Sequence, residues 1–210
     1  MASLTPTDLT PRRKPRQARA AATLSAIFEA TIQVLLVDGP RRLTTTRVAE
    51  RAGVSVGTLY PYFPHKQALF YGLNEHYLDG LAKTIENACH AEHGAPIARM
   101  VETLVTTYWD AKMERPDVTC VLYRSVVELD NAPLIEAFAR RVDAASSAMF
   151  ASAPDAVFTD LAIVNLTLLT AIFGTLRSVF ERNLPDDEGR AVHTQLVLMC
   201  ISYLEFLKSK

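Results

Sequence analysis

Cysteine is scarce in this chain. Three occur in 210 residues, Cys89, Cys120 and Cys200, and no two form a CxxC pair. The odd number and wide spacing exclude a disulfide framework and a zinc knuckle, and they fit a reducing cytoplasm. The opening residues MASLTPTDLTPRRKPR lack the apolar core of a signal peptide. The most apolar stretch, Leu161–Phe173 (LAIVNLTLLTAIF), is short for a membrane span and carries Asn165, Thr167 and Thr170, so no membrane association is expected. Period-two alternation never runs long enough to argue a sheet. HExxH, P-loop and dinucleotide-binding patterns do not occur, so neither an enzyme nor a cofactor is expected. Cys89, His90, Glu92 and His93 lie close together, and His90 and His93 share a helix face. They sit beside Gly94 at a helix end, where exposed polar residues are ordinary, and no metal is assigned to them.

Half of the residues, 49%, are hydrophobic and 21% are charged, enough apolar material for a core without disulfides or metals. The net charge of −1 hides an asymmetry. Residues 1–72 hold ten Lys and Arg against four acids, whereas the remainder holds twelve against nineteen. A basic end on an acidic body is the pattern expected where one end meets a polyanion.

Residues 1–16 are rich in Pro, Thr and basic side chains and are expected to form a disordered arm that could lie along DNA. Apolar residues at Leu24, Ile27, Phe28, Thr31, Val34 and Leu35 predict a first helix from Gln17 to Val37, stopped by Gly39-Pro40. Thr44 or Thr45 can cap a second helix, whose inner face is Val48, Ala49 and Ala52. Gly53 supplies a left-handed turn residue, Ser55 caps a third helix over Val56–Tyr60, and His65 or Lys66 opens a fourth that runs to Ala91. Further helices are predicted over 95–114, 117–128, 132–151, 155–182 and 187–208. The fold class is therefore all-α, with about nine helices: a three-helix N-terminal domain over 17–66 and a larger bundle over 67–210.

The segment Leu43–Phe70, LTTTRVAERAGVSVGTLYPYFPHKQALF, has the layout of a helix-turn-helix whose second helix enters the major groove. Small residues at Val56, Gly57 and Thr58 permit close approach to bases. The Thr44–Thr46 hydroxyls, Tyr60, Tyr62 and Lys66 can bond phosphates. The string Ala52–Phe70, with its TT entry, AGVS turn, GTLY helix and the set Tyr62, Phe63 and Lys66, resembles the signature of the TetR family of bacterial repressors. The resemblance implies phosphate contacts from Thr45, Tyr60, Tyr62 and Lys66, and approach to base edges by Thr46, Val56, Gly57 and Thr58. Arg47 and Ser55 complete the DNA-binding set, and Leu59 and Phe63 are expected in the core. Pro61 stands where some relatives carry a larger contacting side chain.

The family resemblance also implies a C-terminal domain that binds a small molecule and releases operator DNA by moving the fourth helix. Its candidate effector region comprises Tyr108, Trp109, Met113, Tyr123, Phe138, Asn165, Leu169, Phe173 and Arg177, which suits a neutral or weakly anionic, largely apolar effector. The final two helices are more apolar than one small bundle needs. Helix 155–182 in particular is apolar on nearly all faces, so a homodimer joined through this pair is expected.

Overall fold

A computed structural model describes residues 18–125 and 131–209. The expected basic arm lies outside them, as do residues 126–128 of the expected helix 117–128. The described chain folds into α1 (Ala18–Asp38), a 3-10 turn (Pro40–Arg42), α2 (Thr45–Ala52), α3 (Val56–Leu59), α4 (Lys66–Ala91), α5 (Ile97–Met113), α6 (Pro116–Ser125), α7 (Ala132–Ala151), α8 (Leu161–Arg182) and α9 (Asp186–Leu207). Among the described residues, extended pairing is confined to one isolated bridge between Val157 and Ser209.

The chain divides into two compact units: the described parts of Met1–Leu78 with Cys120–Leu134, and of Asp79–Thr119 with Ile135–Lys210. The division falls inside α4 rather than ahead of it, because α4 is one uninterrupted helix that contributes to both.

The first unit is built on the inner stripe of α1. Ile27, Val34 and Leu35 are buried, as are Leu43, Val48, Ala49, Leu59 and Phe63 from the segments that follow. Thr31 is buried too, but its hydroxyl donates to the Ile27 carbonyl at 2.7 Å, so no polar atom is stranded. The Phe28 ring meets Phe63 at 5.7 Å and stacks on His76 at 4.9 Å between centroids.

The second unit packs α9 against α5 and α8. Ile97, Met100, Val101, Leu104 and Val105 form the buried stripe of α5, at the 3–4 residue spacing of one helix face. Arg141 of α7 ties that helix to α4: Nε and Nη2 bond the two Glu86 carboxylate oxygens at 2.7 Å, and Nη1 bonds Asp79 at 2.7 Å. These bonds hold the Glu86 carboxyl below its ordinary range, and Asp79 is held low by Lys83 first and Arg141 second.

By length and composition Ala20–Asp38 and Leu161–Arg182 both pass for membrane spans, which the shorter stretch read from the sequence did not suggest. Each contributes a buried stripe to its own unit, from Ile27 to Leu35 and from Val164 to Val179. Helix α8 also starts later than expected. Asp160 caps it, accepting from the Ile163 N–H at 3.1 Å, and the residues before it turn so that Val157 pairs with Ser209.

Candidate nucleic-acid interface and effector region

The helix-turn-helix is held by caps and one glycine. The Thr44 side chain accepts the Arg47 N–H at 3.2 Å and starts α2. Gly53 ends that helix in the left-handed region, φ +67°, where a side chain is strained; its N–H returns to the Ala49 and Glu50 carbonyls. Ser55 then accepts the Thr58 N–H at 3.1 Å and starts α3, and the two hydroxyls bond each other at 2.9 Å. Four residues cannot sustain an isolated helix. What anchors α3 is Leu59, which is fully buried with Phe63 one turn later. The His65 ring then opens α4, its Nδ1 accepting the Ala68 N–H at 3.1 Å.

This anchoring leaves the opposite side of α2 and α3 to solvent. Thr46, Arg47, Ser55, Gly57, Thr58 and Tyr60 are exposed, and Thr45, Val56, Tyr62 and Lys66 are half-buried. An added Cβ at Gly57 would meet nothing closer than Ser55 Oγ at 3.6 Å, so the free chain does not itself demand glycine there. Two cations are engaged inside the unit: Arg47 pairs with Asp38 at 2.8 Å, and Arg51 bonds Gln33 at 2.8 Å. Neither partner was foreseen, since each comes from a different helix. The 3-10 turn adds exposed Arg41 and Arg42 beside them in sequence.

Residues 53–57, GVSVG, also match the spacing of a hydrolase nucleophile elbow. That motif needs a strand leading into the serine. Here α2 leads into it, and the Ser55 hydroxyl is committed to capping and to Thr58. The cluster at the end of α4 is no better placed for a metal. Among the described residues no three His, Cys, Asp or Glu side chains are gathered for one, and burial pushes the Cys89 thiol up to about 11.

In the second unit the expected effector residues separate. Tyr108, Phe138 and Phe173 come together from α5, α7 and α8, with Tyr108 to Phe173 at 4.7 Å and Phe138 to Phe173 at 5.6 Å between centroids. Trp109 packs instead on His193 of α9 at 4.9 Å, where the ring nitrogen lies 3.3 Å from the Thr106 hydroxyl. Leu169 is buried and Met113 half-buried. Tyr123 belongs to the first unit.

Two polar members of the set are engaged elsewhere. Asn165 is wholly buried, and its amide is bonded to Asp143, Ser146 and Ser147 of α7 at 2.8–2.9 Å. Arg177 is exposed and paired with Glu181 at 2.7 Å, one turn along its own helix. Sequence reading missed Lys112. It is 4% exposed, and its ammonium lies 5.9 Å from the Tyr108 ring centroid. Its place four residues after Tyr108, on the buried stripe of α5, was the available signal.

A capped helix-turn-helix with its polar side outward, in a chain with a second all-helical unit, defines a DNA-binding regulator of the helix-turn-helix class. The model of the tetracyclin repressor-like C-terminal domain matches residues 96–204, more than half of the chain, and that of the tetR family of bacterial regulatory proteins matches residues 27–72. The chain belongs to the TetR family, whose regulators bind DNA and dimerise.

Among curated proteins, the nucleoid occlusion factor SlmA of Haemophilus ducreyi is 32% identical over 97 residues, 46% of this chain and 47% of that protein. SlmA of Actinobacillus pleuropneumoniae serotype 5b is 35% identical over 85 residues, 40% of this chain and 41% of its own length. The chain thus spans less than half the length of these two relatives. Among solved structures, a putative TetR-family regulator from Mesorhizobium loti has a TM-score of 0.68 at 16% identity, covering 91% of this chain and 97% of that one. The fatty acid degradation regulator FadR of Bacillus halodurans has a TM-score of 0.63 at 15% identity, covering 88% and 97%. At such identities the likeness is one of fold.

Proposed function

We propose that this protein is a homodimeric repressor that holds operator DNA with α2 and α3 and lets go when a small, largely apolar molecule binds its second unit. The reading rests chiefly on one observation: Thr46, Arg47, Thr58 and Tyr60 are exposed on short helices whose opposite side is fixed by buried Val48, Leu59 and Phe63. Thr45, Tyr60, Tyr62 and Lys66 hold phosphates in this reading. Val56, Gly57 and Thr58, with Thr46, approach the base edges, and Ser55 and Arg47 support them.

The dimer forms through α8 and α9. Helix α8 exposes Ile163, Leu166, Thr170 and Gly174 along one side, and α9 exposes Leu198, Met199, Ser202 and Phe206. Apolar and small residues at helical spacing suit close helix packing, and the two-fold symmetry makes each copy's stripe the other's partner. Such a dimer fits DNA when its recognition helices are spaced by about one turn, roughly 34–36 Å, or a multiple of it. Helix α4 belongs to both units and is the element through which an effector changes that spacing. The effector must bind the DNA-incompatible state more tightly, because equal affinity shifts nothing. The protein acts in the cytoplasm, where its DNA is.

The test is titration of genomic fragments, including the region upstream of the protein's own gene, at two salt concentrations. Nanomolar binding to one short, roughly palindromic site, weakening as salt rises, is the expected result. Binding without sequence preference, or sites without relation to promoters, would overturn the repressor reading.

A further inference from the structure

We infer that Arg41 and Arg42, on the 3-10 turn between α1 and α2, form a sequence-independent clamp on DNA that binds backbone phosphates beside the one proposed for Thr45. The inference rests on the DNA-binding reading above and adds two contacts that lie outside α2 and α3. Residues 38–51 carry four arginines against two acids. Two of the four are already engaged on α1, Arg47 with Asp38 and Arg51 with Gln33, both at 2.8 Å. Arg41 and Arg42 are exposed, and among the described residues no side chain bonds either guanidinium.

The turn holds its two arginines on a fixed backbone. Gly39 leaves α1 at φ +76°, and its N–H still donates to the Leu35 carbonyl at 3.1 Å. At the other end the Leu43 N–H donates to the Pro40 carbonyl at 3.3 Å, and the Leu43 side chain is buried. Thr44, the cap of α2, comes next. With the backbone anchored at both ends, only the arginine side chains are left to be ordered on binding, which lowers the entropic cost. Arg42 stands three residues before Thr45, so at most about 10 Å of chain separates the two. Phosphates of one strand follow one another at about 3.4 Å along the duplex axis, so neighbours of a phosphate bonded by Thr45 would fall within that span.

The guanidinium fork matches phosphate oxygens two at a time. Such contacts carry no sequence information, so the clamp raises affinity for any duplex and leaves the choice of site to α2 and α3. Basic side chains beside apolar ones can also meet an anionic lipid surface, and Leu36 and Val37 are exposed at the end of α1. DNA is the better fit. The turn runs directly into the cap of α2, and two apolar side chains are far less than the face an interfacial helix buries.

The experiment compares the full chain with two double variants, Arg41→Gln with Arg42→Gln, and Arg41→Lys with Arg42→Lys. Fluorescence anisotropy is read at several salt concentrations on a random-sequence duplex and on the preferred fragment from the titration above. Glutamine should weaken both complexes at least about tenfold at low salt, and flatten log Kd against log salt by about one phosphate equivalent per arginine engaged. The ratio of the two affinities should stay within about twofold, because no base contact is lost. Lysine keeps the charge and should keep the slope. Both variants should unfold at the urea concentration of the parent, since the replaced groups bond no side chain within it. The inference is overturned if the glutamine variant keeps the slope, if lysine is as damaging as glutamine, or if the preference for one fragment is lost, which would assign the arginines to base reading. Vesicles of phosphatidylglycerol and phosphatidylcholine test the other surface: binding to them that glutamine abolishes while DNA binding persists would make lipid the partner and overturn the clamp. A flatter slope on random duplex in a protein that prefers no fragment supports the clamp and defeats the repressor reading. No binding to either duplex defeats both.

Discussion

The Arg47 guanidinium donates to the Asp38 carboxylate at 2.8 Å, joining the end of α1 to the first turn of α2. Both side chains are partly exposed, so the pair contributes only about 0.2–1 kcal/mol and is readily exchanged for a DNA phosphate. In the proposed complex Asp38 would therefore compete with DNA for Arg47. Asp38→Asn should strengthen binding to non-specific duplex several-fold and steepen the dependence of log Kd on log salt by about one phosphate equivalent. Arg47→Ala should flatten it by a similar amount. Fluorescence anisotropy at four salt concentrations reads both, and an unchanged slope in both variants would remove Arg47 from the interface.

The caps of the recognition helix separate folding from binding. In Ser55→Ala the Thr58 N–H loses its acceptor, and the unit should lose about 1 kcal/mol of stability. Ser55→Asp restores the cap and the stability. It should not restore DNA binding, because it sets a carboxylate among groups proposed to face phosphates. Urea unfolding and DNA titration of the two variants should diverge in this way. Recovery of both properties together would mean that Ser55 acts only on the fold.

Much of this unit was legible in the sequence because its boundaries are set locally. Gly53 must take a left-handed conformation, Ser55 must accept a nearby N–H, and Gly39-Pro40 must end α1. Each follows from the chemistry of one or two adjacent residues. What the sequence hid depends on distant partners. The start of α8 was read too early because Ala156, Val157 and Phe158 continue an apolar pattern. The pairing of Val157 with Ser209, which draws that segment away from the helix, involves the other end of the chain. Asn165 looked like a polar contact for a ligand, but three residues of α7 use its amide. Lys112 was within reach, since it repeats the spacing of Leu104 and Tyr108.

The exposed stripes of α8 and α9 predict a dimer that a single charge can break. Leu166 and Leu198 are 58% and 53% exposed in one chain, so glutamate at either costs the lone subunit little. In a two-fold interface each substitution would place two carboxylates in apolar surroundings. Leu166→Glu and Leu198→Glu should keep their helical content while the mass by light scattering falls from twice the 23.2 kDa of one chain towards that value. Operator affinity should fall at least tenfold with it, since the two half-sites are no longer linked. A dimer that survives both substitutions would place the interface elsewhere.

Lys112 predicts a pH dependence of stability with a definite sign. Its folded-state value is near 7 and its unfolded value near the ordinary 10.5. Between them the unfolded chain holds a proton that the folded chain has released, so stability rises with pH, by at most about 1.4 kcal/mol per unit. Cys89 and Cys200 act in the opposite sense at higher pH. Burial pushes both thiols up to about 11, so above the ordinary value of 9.0 the unfolded chain ionises first and stability falls. The window for Lys112 is therefore pH 7 to 9. Urea midpoints of the ligand-free protein should climb across that window, and those of Lys112→Met should begin higher and climb less. The difference between the two proteins isolates the lysine from every other group. Parallel profiles would mean that the ammonium keeps its proton in the folded state.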